Sequence, residues 1–346
     1  MVSVVHRPNA ATERPLVAVV LAGGVGTRLY PASRSYRPKQ LLAVGGDDTL
    51  LERTVARVDF ADEVVVVTRS EFADAVREAA PDTTVLVEPA GKDTGPALAY
   101  ATHRVAERFA DPVVLAVPSD HHVDGDFETA ARRGARVAVE TGALVTFGVE
   151  PTRPDTGYGY VEPGTDHGDY AEVAAFHEKP DAETARRYVE RGDYWNAGVF
   201  AWTPAAFRAA ARDTPLGPLV DALDAGDPAG GFEAVDPVSV DNAVFERADD
   251  VVTVPLDVEW DDLGSWDALR RLLPADEDGT VVAGDADAVS LDAENNVVAG
   301  DDVHVSLVGV DDLAVVAYDD RVLVVPTAKA QQVRDLVAEL ERRGEF

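Results

Sequence analysis

Leu16-Val17-Ala18-Val19-Val20-Leu21-Ala22-Gly23-Gly24-Val25-Gly26-Thr27-Arg28-Leu29 is the stretch on which the fold turns. Its first six residues are apolar without alternation, the pattern of a strand buried on both faces, and three glycines then end it abruptly. Similar short β-branched runs recur at 64–67, 85–87, 113–117 and 144–147. Between them the spacing of apolar residues predicts helices over 50–58, 71–79, 97–109 and 127–140. Strand and helix alternate, so the chain reads as α/β with a largely parallel sheet. The pattern continues less regularly through 173–176 and 199–202 to about Leu273.

After Pro274 the texture changes. Residues 280–325 are short apolar pieces separated by Gly-Asp, Glu-Asn-Asn and Asp-Asp punctuation, which predicts a small all-β appendage of tight turns, solenoid-like. A helix is expected from Lys329 to about Arg343. The expected organisation is an N-terminal tail over 1–14, a catalytic unit over 15–274, and a β part with closing helix over 275–346.

The chain has 346 residues, 31 Lys plus Arg against 63 Asp plus Glu, and a formal charge of −32. Hydrophobic residues make up 46% of it, enough for a packed core. A surface this acidic repels nucleic-acid phosphates and anionic lipid, which argues against both as partners. No apolar run near the start approaches the roughly 20 residues of a bilayer span, and no signal-peptide pattern precedes the first strand. There is no cysteine, hence no disulfide and no thiolate nucleophile. The expected setting is a cytoplasm. The acid-rich composition, with lysine only at Lys39, Lys92, Lys179 and Lys329, suggests one at high salt, as in a halophile.

Backbone amides in a glycine-rich turn can converge on an anion. The loop lacks the Gly-Lys-Ser/Thr of a Walker P-loop, and Pro31 and Pro38 keep a helix from starting at once. Positive charge for a phosphate must then come from the side chains of Arg28 and Lys39, a planar fork of donors and a point charge. His121 and His122 are adjacent and have no third ligand at zinc spacing, so a zinc site is not expected.

Leu21-Ala22-Gly23-Gly24-x-Gly26-Thr27-Arg28-Leu29-x-Pro31-x-Ser33-Arg34, followed by Pro38-Lys39-Gln40, resembles the signature loop of sugar-1-phosphate nucleotidyltransferases. The Ser-Arg and Pro-Lys-Gln elements resemble more narrowly the mannose-1-phosphate guanylyltransferases. Further matches follow in the family's order. They are Glu88-Pro89 with Thr94 and Pro96, Pro118-Ser119-Asp120-His121, Gly157-Tyr158-Gly159-Tyr160, Glu178-Lys179-Pro180, Trp195-Asn196-Ala197-Gly198, and Trp260-Asp261-Asp262-Leu263-Gly264-Ser265-Trp266. The resemblance covers about 16–343.

The resemblance implies a Rossmann-like nucleotide-diphospho-sugar transferase domain with a mixed, mostly parallel sheet. It implies transfer of GMP from GTP to mannose 1-phosphate with release of pyrophosphate. Leu21, Gly23, Gly24, Gly26, Thr27, Glu88 and Thr94 would bind nucleotide; Gly159, Glu178 and Asn196 would bind sugar. Arg28, Lys39 and Lys179 would act on leaving pyrophosphate, triphosphate and sugar phosphate respectively. Mg2+ would be held by Asp120 and Asp262. Spacing alone does not separate Asp261 from Asp262; the family's aspartate two before Gly-Ser-Trp selects Asp262. Lys92-Asp93-Thr94-Gly95 stands where Arg-Asn-Thr-Ala is common in the family, a departure in the stretch that would contact the base. Another hexose 1-phosphate and nucleotide, or a non-catalytic regulatory paralogue, are the alternatives. At 346 residues a monofunctional enzyme without the family's C-terminal isomerase domain is expected. The resemblance also allows a homodimer, with the β appendage and closing helix as candidate interfaces.

Overall fold

The computed structural model describes residues 14–346; the expected N-terminal tail, Arg14 apart, lies outside them. Eleven strands come first: β1 (Leu16–Leu21), β2 (Glu63–Thr68), β3 (Thr84–Val87), β4 (Val113–Pro118), β5 (His122–Gly125), β6 (Leu144–Val149), β7 (Tyr160–Asp166), β8 (Ala171–His177), β9 (Tyr194–Trp202), β10 (Val251–Pro255) and β11 (Val258–Asp261). Nine of them form one sheet in the order β3-β2-β1-β4-β9-β6-β10-β8-β7, while β5 and β11 pair as a separate ribbon. The β3-β2-β1-β4 half is parallel, and β9 enters antiparallel between β4 and β6. Reversals of direction and order leave a crevice at the carboxyl ends of β1 and β4, where such sheets bind ligands.

The helices of this part are α1 (Leu50–Arg57), α2 (Ala73–Ala79), α3 (Thr94–Arg108), α4 (Phe127–Thr141), α5 (Ala182–Arg191), α6 (Pro204–Arg212), α7 (Gly217–Asp224), α8 (Pro228–Glu233) and α9 (Leu269–Leu272). They cover both faces of the sheet, which is why β1 shows no alternation. Leu16, Ala18 and Val20 pack on the side of α4, and Val17 and Val19 on the side of α3. Each valine so buried contributes about 1.5–3 kcal/mol. α1 starts at a capping box in which Thr49 and Glu52 satisfy each other's backbone amides. α3 begins three residues before the expected position: Asp93 caps it, and Pro96 is tolerated in a first turn, where its missing N–H has no partner to lose.

Beyond α9 the chain forms β12 (Val281–Gly284), β13 (Asp287–Leu291), β14 (Val297–Gly300), β15 (His304–Val308), β16 (Leu313–Tyr318) and β17 (Arg321–Pro326). β12, β14 and β16 stack in parallel register, as do β13 and β15, so successive passes lie on one another as in a solenoid. The acidic punctuation makes the corners. Asp292, Asn295, Asp302, Asp312 and Asp319 all take left-handed backbone conformations, which Asn and Asp tolerate better than other side chains. A 3-10 segment, Thr327–Gln332, leads into α10 (Val333–Arg343). The closing helix therefore becomes α-helical four residues later than expected.

The two parts share a core. Leu29, Tyr30, Leu42 and Leu50 of the first pack with Val281, Val297, Ala314, Leu323, Val333 and Val337 of the second. No helix among the described residues is long and apolar enough to cross a membrane.

Candidate active site

Braces from several directions fix the glycine loop after β1. Gly26 has φ 75° and a side chain there would meet Lys39 Cβ at 2.3 Å, so the turn requires glycine. Ser33 Oγ donates to the Gly26 carbonyl at 2.7 Å, and the Lys39 amide to the Val25 carbonyl at 2.9 Å. Gln40 Nε2 donates to the Ala22 carbonyl at 2.8 Å. Buried Arg34 reaches Asp320 in the β16–β17 turn at 3.0 Å, and Trp266 Nε1 donates to the Tyr30 carbonyl at 2.9 Å. Leu21, Gly23, Gly24 and Thr27 line the same loop. Much of the Ser-Arg and Pro-Lys-Gln sequence thus shapes the loop.

Lys39 is 4% exposed. Its ammonium donates to Asp120 Oδ2 at 2.9 Å and to the Asp262 carbonyl at 2.6 Å. The other end of Asp262 is fixed by Gly264 N–H at 2.8 Å and the Tyr158 hydroxyl at 3.3 Å, both on Oδ1. Arg28 Nη2 stands 3.9 Å from Asp262 Oδ2. Burial alone would raise the Asp120 carboxyl, yet Lys39, His121 and Arg28 outweigh it and hold it below its ordinary value. Asp261 turns the other way, accepting a two-nitrogen fork from Arg271 at 2.8 and 2.7 Å. So the structure brings Arg28, Lys39, Asp120 and Asp262 together and leaves Asp261 out.

Among the described residues, neither Asp120 Oδ1 nor Asp262 Oδ2 accepts a hydrogen bond; the His121 imidazole and the Arg28 guanidinium respectively stand 3.9 Å from them. Two hard carboxylate oxygens fit a divalent cation that keeps water and phosphate ligands. A different trio, Glu162, His177 and Asp193, also lies close enough to share an ion. There the Arg191 guanidinium already fills the centre, 2.9 Å from Glu162 and 3.2 Å from His177. A broad cavity lined by Arg14, Leu16, Val113, Arg133 and Arg136 opens where β1 and β4 begin, away from all of these groups.

Glu88 follows β3, with its amide bonded to the Thr68 carbonyl. Its Oε1 comes within 3.0 Å of where a side chain on Gly23 would be, and its buried Oε2 has no partner. Burial pushes the carboxyl up to about 7, against the pull of Arg69. Thr94 opens α3, and its hydroxyl oxygen accepts the Val240 amide at 2.9 Å. Lys92 donates to the Val235 carbonyl at 2.7 Å. Its ammonium is therefore engaged with the backbone.

On the opposite flank Gly159, Glu178 and Asn196 converge. A side chain on Gly159 would meet Glu178 Oε2 at 3.0 Å and Asn196 Cβ at 3.8 Å, so glycine leaves the space open. Lys179, at φ 36°, is exposed and paired with Glu178; it does not touch the Lys39 group. Asn196 is heavily engaged: Oδ1 accepts from Gly198 N–H and Thr146, and Nδ2 donates to Asp241 Oδ1 at 2.7 Å.

Two participants escape sequence reasoning. Asp241 lies beneath Asn196 with its carboxyl raised by burial; its single cue is an acid within the valine-rich Val238-Ser239-Val240-Asp241-Asn242-Ala243-Val244-Phe245. Tyr158 sits inside a recognised motif, but nothing local announces its bond to Asp262. Arg153 packs over Tyr158 and Trp195. Trp195 and Trp202 are core.

A crevice at the carboxyl edge of a mixed sheet, with a glycine loop, two cations and two carboxylates, defines a nucleotide-handling transferase. The chain belongs to the nucleotidyl transferase family, whose model matches residues 17–279. Residues 286–340 match the MannoseP isomerase/GMP-like beta-helix domain. Mannose-1-phosphate guanylyltransferases of Klebsiella pneumoniae and Escherichia coli (strain K12) are 35% and 37% identical to it. These alignments cover 96% and 95% of this chain and 75% and 74% of the relatives. The crystal structure of a mannose-1-phosphate geranyltransferase from Thermus thermophilus superposes with a TM-score of 0.88 at 34% identity, covering 94% of this chain and 99% of that one. Enzymes of this family use a divalent metal, in keeping with the donors supplied by Asp120 and Asp262.

Proposed function

We propose that the chain transfers GMP from GTP to mannose 1-phosphate, forming GDP-mannose and pyrophosphate. The observation that carries this reading is the buried Lys39 ammonium, which ties the glycine loop to the Asp120 carboxylate and the Asp262 turn. A phosphate oxygen of mannose 1-phosphate attacks the α-phosphorus of GTP; the bond from that phosphorus to the bridging oxygen breaks, and pyrophosphate leaves with the electron pair. The attacking phosphate is already ionised, so no general base is required. The work is positioning and charge neutralisation.

The loop amides around Gly23, Gly24, Gly26 and Thr27, with Leu21, cradle the nucleotide. Lys39 neutralises the triphosphate, and Arg28, with its two-pronged donor face, takes the departing pyrophosphate. Lys179 leaves Glu178 to hold the sugar phosphate, which frees Glu178 to accept sugar hydroxyls beside Gly159 and Asn196. Glu88 suits guanine, whose N1–H and N2–H2 edge donates and needs a buried acceptor. Thr94 supports that side through Val240. We assign Mg2+ as the metal, held by Asp120 and Asp262; it supplies charge to the phosphate oxygens and orients them. With GTP as substrate, the reaction belongs in the cytoplasm. Exposed Val308, Val322 and Val324 on the C-terminal strands are where a homodimer would meet, which sedimentation checks.

The test is pyrophosphate release with Mg2+ in molar KCl. GTP with mannose 1-phosphate is expected to turn over, and matched UTP, dTTP and glucose 1-phosphate reactions to lag far behind. Preference for another pair would retain the chemistry and overturn the base and sugar assignments. Silence with every pair, from folded protein, would overturn catalysis itself.

A further inference from the structure

Arg28 is a long side chain on an extended loop, and the nearest opposite charge is Asp262 at 3.9 Å. Left to itself, a guanidinium would collapse onto that carboxylate, which the metal site needs. A residue 303 positions later prevents this. Gln331, in the Thr327–Gln332 segment after β17, accepts from Arg28 Nη1 through Oε1 at 2.8 Å. The amide is oriented from its other end, because Nε2 donates to Ser265 Oγ at 2.9 Å. Ser265 is buried and its hydroxyl donates to Asp267 Oδ1. With Nε2 committed to Ser265, the oxygen of Gln331 must face Arg28.

The residue type matters as much as the distance. The chain contains 63 carboxylates but only three glutamines, Gln40, Gln331 and Gln332. Gln40 and Gln331 each bond to the phosphate loop or its arginine. An amide oxygen can aim a guanidinium without neutralising it, whereas a carboxylate in the same place would compete with phosphate for the same fork. Ser265 is three residues from Asp262, so Gln331 also fixes the spacing between the arginine and the metal-binding turn.

We propose that Gln331 is a positioning residue for the transfer: it holds Arg28 off Asp262 and aimed at the leaving pyrophosphate, making the C-terminal part a component of the active site. This rests on the pyrophosphate role of Arg28 given above.

The experiment measures kcat, KM for each substrate and Tm for Gln331→Ala, Gln331→Glu, Arg28→Ala and the Arg28→Ala/Gln331→Ala double variant. For Gln331→Ala, kcat/KM for GTP is expected to fall roughly 10- to 100-fold, the worth of a hydrogen bond to a charged group. KM for mannose 1-phosphate and Tm should stay near wild type. Gln331→Glu should be worse than Gln331→Ala, although glutamate restores an acceptor; a purely structural bond would be rescued by it. In the Arg28→Ala background the alanine at 331 should cost nothing further. Wild-type kinetics in Gln331→Ala beside an impaired Arg28→Ala would overturn the positioning role alone, as would an equal loss in both backgrounds. Wild-type kinetics in Arg28→Ala would overturn the role of Arg28 and this proposal with it.

Discussion

Lys39 and Asp120 meet at 2.9 Å across 81 residues of sequence, and the same ammonium reaches the Asp262 carbonyl at 2.6 Å. One buried cation thus ties the glycine loop, the end of β4 and the turn after β11 to a common point. An acid-rich chain keeps few lysines, and this one sits where phosphate and metal would arrive. Its two oxygen partners hold the pieces in place before any substrate binds, so the site is pre-assembled.

Asp262→Asn separates geometry from charge. The amide oxygen still accepts from Gly264 N–H and Tyr158, so Tm should change by only a few degrees. The anionic oxygen beside Arg28 is gone, and kcat should fall roughly 100- to 1,000-fold. Wild-type turnover in this variant would remove Asp262 from the metal site.

On the base-binding role proposed for it, Glu88 should make the reaction depend on pH on the nucleotide side. Its folded-state pKa is raised to about 7, so its contribution to stability is fullest below the unfolded value and is lost as pH rises through about 7. Guanine requires the ionised form, so KM for GTP should drop as pH rises from about 6 to about 8. Glu88→Gln should flatten that dependence, weaken GTP binding and raise Tm above pH 7. A wild-type pH profile in the variant would exclude Glu88 from the base site.

On the sugar-binding role proposed for Asn196, Asp241 would act through it. Asp241→Ala removes the acceptor of the Asn196 amide and should raise KM for mannose 1-phosphate roughly tenfold while leaving KM for GTP unchanged. Steady-state titration of each substrate against saturating partner reads the split; an equal rise for both would mean general loosening of the fold.

A charge this large should make stability depend on salt. At −32 the surface repels itself, and the screening length shrinks from about 10 Å at 0.1 M salt to about 3 Å at 1 M. Tm by calorimetry should therefore climb as KCl rises across that range. A Tm independent of KCl would contradict the high-salt reading.

The sequence exposes those parts of the fold that are local. β1 and β4 are legible because helices cover both faces and leave unbroken apolar runs. The solenoid is legible because Asp and Asn at its corners tolerate the left-handed turn. The start of α3 is less so, since the Asp93 cap lies among other loop acids. In the site, Arg28, Lys39, Asp120 and Glu88 stand in contiguous motifs beside strand ends. Asp241 and Gln331 do not: their partners lie 45 and 303 residues away, and only the folded chain brings them together. The Asp261–Arg271 pair shows the same limit, because two adjacent aspartates diverge through contacts that spacing does not encode.

Transfer of GMP from GTP to mannose 1-phosphate in one direct step would need no nucleophile from the protein. The most direct measurement is the stereochemical course with GTP bearing a chiral α-thiophosphate. Inverted configuration is expected in the GDP-mannose thio analogue, with one pyrophosphate released for each product formed. Retention of configuration would reveal a guanylylated enzyme between two displacements and contradict direct transfer.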